Sequence, residues 1–260
     1  MQSQSENPSF SLSGRTALVT GASSGLGRHF AHVLSRAGAG VIVGARRLDR
    51  LEDVVRDITS AGGKAHAVAM DVTDAASVTA AFDAGEAALG PIDILVNNAG
   101  IPSSSYFVRM QESEWRGVLD VNLDGVFRVG QEAAKRMTSR GHGGSIINIA
   151  SILGLGVLKT LAPYAVSKAG VIQLTKVMAL ELARDRIRVN AIAPGYVETE
   201  INDAFLESDA GKRLVAKVPM TRAGRLKELD GPLLLLASDA GSYMTGSVVT
   251  VDGGTLLSMG

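Results

Sequence analysis

Short apolar runs alternate with longer helical stretches along the whole chain, and this alternation restricts the folds open to it. The apolar runs lack polar alternation, which is typical of strands covered on both faces. Strands are predicted at residues 16–20, 41–44, 65–70, 92–97, 145–149, 188–192 and 248–251. Helices are predicted near residues 25–37, 47–61, 75–88, 112–138, 163–184 and 225–238. Strand alternating with helix predicts right-handed crossovers, and therefore an α/β fold with helices on both faces of a parallel sheet.

The domain organisation is predicted to be simple. Hydrophobic residues make up 46% of the 260 residues, which is enough for a sizeable core. Because no linker or internal repeat interrupts residues 12–260, we expect one domain there, preceded by a polar, disordered lead-in at residues 1–11. The interval from about 195 to 225 contains no predicted strand, and an excursion of that length predicts a substrate-binding lid.

Charge and composition exclude several functions. Lysine plus arginine equals aspartate plus glutamate at 26 each, so no basic surplus favours nucleic acid, while near-zero net charge permits oligomers. The chain has no cysteine, which excludes disulfides and thiolate metal sites. The four histidines join no acidic cluster, so we expect no metal. The apolar run 233–237 is too short for a membrane span, and nothing resembles a secretion signal; we expect a cytoplasmic protein without membrane contact.

A glycine-rich turn follows the first predicted strand. Glycines let backbone amides approach a pyrophosphate, and the N-terminus of the following helix then faces the anion. A tight strand-to-helix turn is the alternative, but the position after the first strand favours a dinucleotide site. The residues of this turn are Gly21, Ser23, Ser24, Gly25, Leu26 and Gly27.

The end of the second strand indicates which dinucleotide is preferred. About 20 residues beyond the glycines, an acidic side chain binds the ribose hydroxyl in NAD-specific sites. Here Ala45 holds that place, and Arg46 and Arg47 follow. A guanidinium binds a 2′-phosphate bidentately, so NADP(H) is favoured over NAD(H). The alternative is that the two arginines only begin a solvated helix.

Tyr164 and Lys168 are four residues apart, on one face of a predicted helix. A neighbouring ammonium lowers the pKa of a phenol and makes it a usable proton donor and acceptor. Ser151 closes an apolar run thirteen positions before Tyr164 and adds a hydroxyl donor. Each residue alone could be structural: Ser151 a cap and Lys168 a solvated helix lysine.

In this order and spacing, the motifs resemble the short-chain dehydrogenases/reductases of about 250 residues, over residues 12–254. Further matching motifs are Asp71-Val72, Asn97-Asn98-Ala99-Gly100, Asn122, Pro194-Gly195 with Thr199, and Thr245-Gly246 through Val251-Asp252-Gly253-Gly254. The resemblance implies a Rossmann-type doubly wound sheet of seven strands in the order 3-2-1-4-5-6-7. It also implies an NAD(P)-dependent enzyme acting on CH–OH donors.

The resemblance also implies roles for individual residues. Ser151 would bind the substrate oxygen, Tyr164 would transfer its proton, Lys168 would lower the pKa of Tyr164, and Asn122 would hold a water linking Lys168 to solvent. The catalytic residues are therefore Asn122, Ser151, Tyr164 and Lys168. Besides the turn and the two arginines, the implied cofactor contacts are Asp71, Val72, Asn98, Ala99, Gly100, Tyr164, Lys168, Pro194, Gly195, Val197 and Thr199.

The substrate is less well defined. Ser151, Leu153, Tyr164 and Tyr196 are the predicted substrate contacts, and apolar side chains in the surrounding loops favour a small to medium apolar ketone or alcohol. The alternatives are a 3-oxoacyl-thioester reductase acting on an acyl carrier, a sugar or polyol dehydrogenase, and a steroid enzyme. The first requires basic residues at the mouth of the site; Arg140 is compatible, whereas Leu180 replaces an arginine that is common in such relatives.

Two alternatives lie outside oxidoreductase chemistry. A cofactor-sensing regulator would commonly lack the tyrosine or the lysine, and a methyltransferase would have no use for either residue.

The protein is expected to be oligomeric. The two long helices near 112–138 and 163–184 could pair across a twofold axis, so a homotetramer or homodimer is expected.

Overall fold

The computed structural model describes residues 9–200 and 202–259. The predicted lead-in therefore lies outside the described residues up to residue 8, as do residues 201 and 260. Seven strands form one sheet: β1 (Thr16–Thr20), β2 (Gly40–Ala45), β3 (Lys64–Ala69), β4 (Ile94–Asn97), β5 (Gly144–Ile149), β6 (Ile187–Pro194) and β7 (Val248–Val251).

The strands run in the order β3-β2-β1-β4-β5-β6-β7, and every neighbouring pair is parallel. The predicted fold class and strand order are thus confirmed. The order reverses between β1 and β4, which pair through Ala17 with Ile94 and Val19 with Val96. In an open parallel sheet, ligands bind in the crevice beyond the carboxyl ends of the strands at such a reversal.

Helices cover both faces of the sheet. They are α1 (Gly25–Arg36), α2 (Leu48–Ser60), α3 (Ala75–Leu89), α4 (Glu112–Leu119), α5 (Gly125–Arg140), α6 (Ala162–Leu182), α7 (Asp203–Glu207), α8 (Asp209–Val215) and α9 (Asp230–Ala237). Alternate side chains of β1 show why both faces need cover: Ala17 and Val19 pack with α1, α2 and α9, whereas Leu18 packs with α3 and α5. The apolar run 233–237 lies in α9, where Leu233, Leu236 and Ala237 are buried.

The predicted helix at residues 112–138 is in fact three segments. A π-helical segment, Asp120–Asp124, joins α4 to α5 without leaving the helical path. Such bulges frequently occur at functional sites, and this one contains Asn122, which is completely buried. Asparagine is a poor helix former, which, together with the family resemblance, singled out this position in the sequence.

The excursion between β6 and α9 contains structure that the sequence did not indicate. It includes the short helices α7 and α8 and an isolated parallel bridge between Val197 and Gly224. Both helices are too short for a reliable hydrophobic periodicity, so they could not be predicted from the sequence. We call residues 195–225 the lid.

Candidate active site

The glycine-rich turn leads from β1 directly into α1. Gly21 and Gly25 adopt φ angles of 64° and 52°, a region that favours glycine. Ser24 precedes α1, but its side chain makes no capping hydrogen bond within the described residues. The first amides of α1 therefore point out of the helix, as a pyrophosphate site requires.

Gly27 is required for close packing in this turn. A Cβ built there would lie 2.4 Å from the Gly21 carbonyl oxygen and 2.5 Å from Asn98 Nδ2. These distances are shorter than real contacts, so only glycine allows α1 to begin so close to the end of β1. The cradle fits the phosphates of a dinucleotide, whose binding depends on close backbone approach.

The side chain of Asn98 fixes the turn from the neighbouring strand. Asn98 Nδ2 donates to the Thr20 carbonyl at 2.9 Å, while Thr20 Oγ1 accepts from the backbone amides of Asn98 and Ala99, both at 3.0 Å. Asn98 and Ala99 thus support the cofactor turn from below. Thr20, which is buried, was not singled out from the sequence because a threonine at a strand end is common.

Arg46 and Arg47 lie beside the glycine turn, at the end of β2. Arg47 Nη2 donates to Ser23 Oγ at 3.4 Å, and both arginines are exposed. Asp71 follows β3, and its carboxylate accepts from the amide and the hydroxyl of Thr73. These two hydrogen bonds, with smaller contributions from Arg46 and Arg128, lower the pKa of Asp71. Asp71 does not cap α3, because Asp74 does.

The carboxyl ends of β3, β4 and β6 bring the remaining predicted cofactor residues to the same edge. Val72 is buried against Gly125, where an added Cβ would lie 2.8 Å from Val72 Cγ2. Pro194 ends β6, and Gly195 donates its amide to the Val251 carbonyl at 2.9 Å. Asn202 then fixes the backbone at Val197 and Thr199, accepting from the Thr199 amide and donating to the Val197 carbonyl, both at 2.8 Å.

Ser151, Tyr164 and Lys168 meet where β5 ends and α6 begins. Ser151 follows β5, and its hydroxyl accepts from the Leu153 amide at 3.1 Å. Lys168 is 4% exposed, donates from Nζ to the Ile149 carbonyl at 2.7 Å and lies 5.7 Å from the centre of the Tyr164 ring. The structure thus brings these three side chains together at the carboxyl end of β5.

Burial is the main influence on the pKa values of this group. It raises the pKa of Tyr164, while a hydrogen bond with Ser151 opposes the rise. It lowers the pKa of Lys168 from 10.5 to about 8, because removal from water disfavours the charged form. That Lys168 lowers the pKa of Tyr164 during the reaction stays a prediction.

Asn122 lies close to Lys168, in the π-helical segment between α4 and α5. Its amide bridges the backbone of Ile101, accepting from the amide at 2.8 Å and donating to the carbonyl at 3.0 Å. A Cβ built on Gly100 would lie 3.4 Å from Asn122 Oδ1 and 3.7 Å from Lys168 Nζ. Gly100 therefore lies close to both side chains.

Three loops leave the carboxyl ends of β4, β5 and β6, the edge that carries Ser151. In the loop after β5, Leu153 is buried. Tyr106, Phe107 and Val108 form an exposed apolar tip in the loop after β4. A hydrogen bond from the Ser105 amide to the Thr160 carbonyl links these two loops. Tyr196 is the second residue of the lid. Burial raises the pKa of its phenol, and its buried hydroxyl contacts no hydrogen-bond partner among the described residues.

Arg140 does not lie at the mouth of this site. It pairs with Asp93 at 2.9 Å and donates to the Gly143 carbonyl, at the amino ends of β4 and β5. Leu180 is near the end of α6, about 24 Å along the helix axis from Tyr164. Neither residue bears on recognition of a carrier at the carboxyl edge.

Two further features concern metal-binding clusters and membrane-spanning helices in the part of the chain that the structure describes. In residues 9–200 and 202–259, histidine and acidic side chains form no group of three placed to hold a metal. His29 instead contacts Asp230 at 2.6 Å. Over the same residues, no helix has the length and apolar character that crossing a membrane requires.

Comparison with known proteins gives relatives that are named as reductases and dehydrogenases. A family model described as enoyl-(acyl carrier protein) reductase matches residues 21–255. A 3-oxoacyl-(acyl-carrier-protein) reductase from Thermotoga maritima is 39% identical over 246 residues, which cover 95% of this chain and 99% of that protein. Gluconate 5-dehydrogenase from Gluconobacter oxydans is 38% identical over 251 residues, with 96% and 98% covered.

A solved structure gives the same result. Gluconate 5-dehydrogenase from Burkholderia cenocepacia, in complex with NADP and tartrate, superimposes with a TM-score of 0.91 at 40% identity, covering 95% of this chain and 97% of that one. The chain belongs to the short-chain dehydrogenase/reductase family.

Proposed function

We propose that this chain is an NADP(H)-dependent oxidoreductase that interconverts a ketone and a secondary alcohol. The observation that carries the proposal is the buried Lys168–Tyr164–Ser151 group at the edge that also carries the glycine turn. Relatives named as reductases and dehydrogenases support the reaction class, and gluconate dehydrogenases solved with NADP support the cofactor.

The cofactor is assigned to residues that fit it. The turn from Gly21 to Gly27 would hold the pyrophosphate, Arg46 and Arg47 the 2′-phosphate, and Asp71 and Val72 the adenine. Asn98 to Gly100 would support the cofactor wall, and Pro194, Gly195, Val197 and Thr199 would flank the nicotinamide. When bound, the cofactor supplies or accepts the hydride.

The remaining chemistry belongs to the side chains. In reduction, Ser151 donates a hydrogen bond to the substrate oxygen, and Tyr164 transfers its proton to that oxygen as negative charge develops. The protonated Lys168 stabilises the resulting phenolate, while a water between Asn122 and Lys168 returns the proton from solvent. In oxidation the same groups act in reverse.

One substitution tests the proton transfer. Tyr164→Phe removes the proton but keeps the ring, so we expect kcat to fall by roughly 10²–10⁴-fold, with the Kd for NADPH unchanged. Stopped-flow turnover and NADPH fluorescence titration measure the two quantities. Tyr243→Phe, at a fully exposed tyrosine that has no role in the site, is the matched control and retains full activity. A Tyr164→Phe enzyme that keeps most of its rate would remove Tyr164 from the mechanism.

A second substitution tests the cofactor preference. Ala45→Asp places a carboxylate where the 2′-phosphate would lie, so we expect NADPH to bind more weakly and NADH to bind as well or better. Titration of both variants with both cofactors measures the change, and a tenfold shift corresponds to about 1.4 kcal/mol. Unchanged NADPH affinity in Ala45→Asp would show that the phosphate lies elsewhere.

The substrate is assigned to an apolar ketone of small to medium size. It would contact Ser151, Leu153, Tyr164 and Tyr196 beneath the lid, and the exposed Phe107 and Val108 favour an apolar portion beyond the reacting carbon. The exposed Phe107 and Val108 could equally contact an acyl chain, which makes a 3-oxoacyl thioester the second candidate. A panel of ketones, acyl thioesters and sugar acids tests both; preference for a sugar acid, as the gluconate relatives suggest, would overturn them.

Residues 12–260 are assigned to one catalytic domain that assembles as a homotetramer or homodimer. An apolar face of α5 and α6 supports the assembly: Phe127, Val166, Val177 and Leu180 are all exposed there, with Leu180 82% exposed. Zero formal net charge leaves little repulsion between copies.

A further inference from the structure

Residues 252–259 form a turn that contacts both the lid and the loop following Ser151. The turn is built on Asp252, whose carboxylate accepts from the amides of Gly254 and Leu256, both at 2.8 Å. The Thr255 hydroxyl donates to the Asp252 carbonyl at 2.6 Å. These bonds give the turn a fixed shape independent of its neighbours.

The lid is attached to one side of this turn. The Met220 amide donates to the Gly253 carbonyl at 3.1 Å, and the Ser258 hydroxyl lies 3.0 Å from the Lys217 carbonyl. Gly254 is so close to the lid that a Cβ there would lie 3.1 Å from Pro219 Cγ. The end of the lid therefore cannot move without moving the turn.

The loop after Ser151 contacts the other side. A Cβ built on Gly156 would lie 3.1 Å from Met259 Sδ and 3.2 Å from Leu256 Cδ2. Two residues earlier, a Cβ on Gly154 would lie 2.7 Å from the Lys168 carbonyl carbon. The loop is thus held between the helix that carries Tyr164 and Lys168 and the 252–259 turn.

We propose that the 252–259 turn is a positioning element that fixes the spacing between the two walls of the substrate cleft, with Met259 acting through Gly156. This assignment rests on the proposed function only in taking the lid and the loop as those walls. Shortening Met259 frees the loop, and the substrate then binds a less ordered cleft. The reacting groups and the cofactor turn are untouched.

The test is a mutant cycle of Met259→Ala, Gly156→Ala and the double variant, with Leu257→Ala as control. Leu257 lies in the same turn but is 90% exposed. We expect Met259→Ala to raise KM for the best ketone roughly fivefold, with the Kd for NADPH unchanged. The effects of Met259→Ala and Gly156→Ala should be non-additive, because the two residues share one contact.

Trypsin supplies a readout that does not need activity. Lys212, Arg213 and Lys217 are exposed in the lid, and Met259→Ala should speed cleavage there several-fold at an unchanged Tm. If KM and cleavage in Met259→Ala equal those of Leu257→Ala, or if cleavage changes without KM, the proposal is overturned. If none of the carbonyl compounds supports NADPH oxidation by the wild type, the proposed function fails instead. Faster trypsin cleavage in Met259→Ala would then still support the coupling of the lid to the loop after Ser151.

Discussion

At the scale of single residues, Lys168 is the most unusual group in the molecule. It is almost completely buried, and the Ile149 carbonyl is the one described group that accepts a hydrogen bond from its Nζ. A lysine in such a place is neutralised more easily than one in water, which is why its pKa is about 8. Its proton is therefore exchangeable near physiological pH, a useful property beside a proton-transferring tyrosine.

The pKa of Lys168 makes stability depend on pH. Its folded value, about 8, lies below the ordinary 10.5, so the unfolded chain binds more protons between these values and stability rises with pH. Between pH 8 and 10 we expect a gain of about 2 kcal/mol relative to Lys168→Met. Urea unfolding at each pH measures it. If the free energy of unfolding changes with pH in the same way for both proteins, the lowered pKa of Lys168 is contradicted.

At the scale of elements, the sequence predicted the sheet better than the connections. The strands β1 and β7 have the predicted bounds. β1 is fully buried and reads as a continuous apolar run with polar ends, as a parallel strand covered on both faces does. The π-helical segment at Asn122 was not predicted, since it depends on Asn122 bridging the Ile101 backbone rather than on local periodicity. The site residues were identified by the order of their motifs, which resembles that of a known family. The hydrogen bonds between Thr20 and Asn98 join distant parts of the chain and could be found only in the structure.

The junction of β1 and α1 gives a prediction about glycines. Gly27→Ala places a methyl group against backbone that cannot yield, so we expect at least tenfold weaker NADPH binding and about 1–3 kcal/mol lower stability. Gly117→Ala is the matched control, because its added Cβ would meet no atom within 4 Å among the described residues. It lies inside α4, and we expect a gain of up to about 1 kcal/mol.

Thermal unfolding and NADPH titration of the two variants provide the comparison. A Gly27→Ala protein with wild-type affinity would show that the start of α1 can shift, and that close packing there is not required for the cofactor.

At the scale of the whole molecule, the exposed apolar side chains are unevenly distributed between the two faces of the sheet. Among the described residues, α1, α2 and α9 carry one large exposed hydrophobic side chain, Leu48, whereas α5 and α6 carry four. An apolar surface on a chain without net charge favours self-association. The exposed apolar side chains of α5 and α6 therefore support the proposed homodimer or homotetramer.

A charge placed on that surface tests the assembly. We expect Val177→Glu to lower the mass measured by light scattering, because a carboxylate would be desolvated in the contact. Leu257→Glu, an equally drastic change on an exposed side chain outside α5 and α6, should leave the mass unchanged. A Val177→Glu protein of wild-type mass would locate the contact elsewhere.

The hydrogen bonds between Thr20 and Asn98 join positions 78 residues apart. A growing polypeptide that stops short of Asn98 already contains every glycine of the turn, yet it lacks the hydrogen bonds that fix the turn from β4. Nucleotide capture must then wait until the fourth strand has emerged from the ribosome and docked beside the first. Bound nucleotide would thus select, during synthesis, for chains whose central strands are correctly paired.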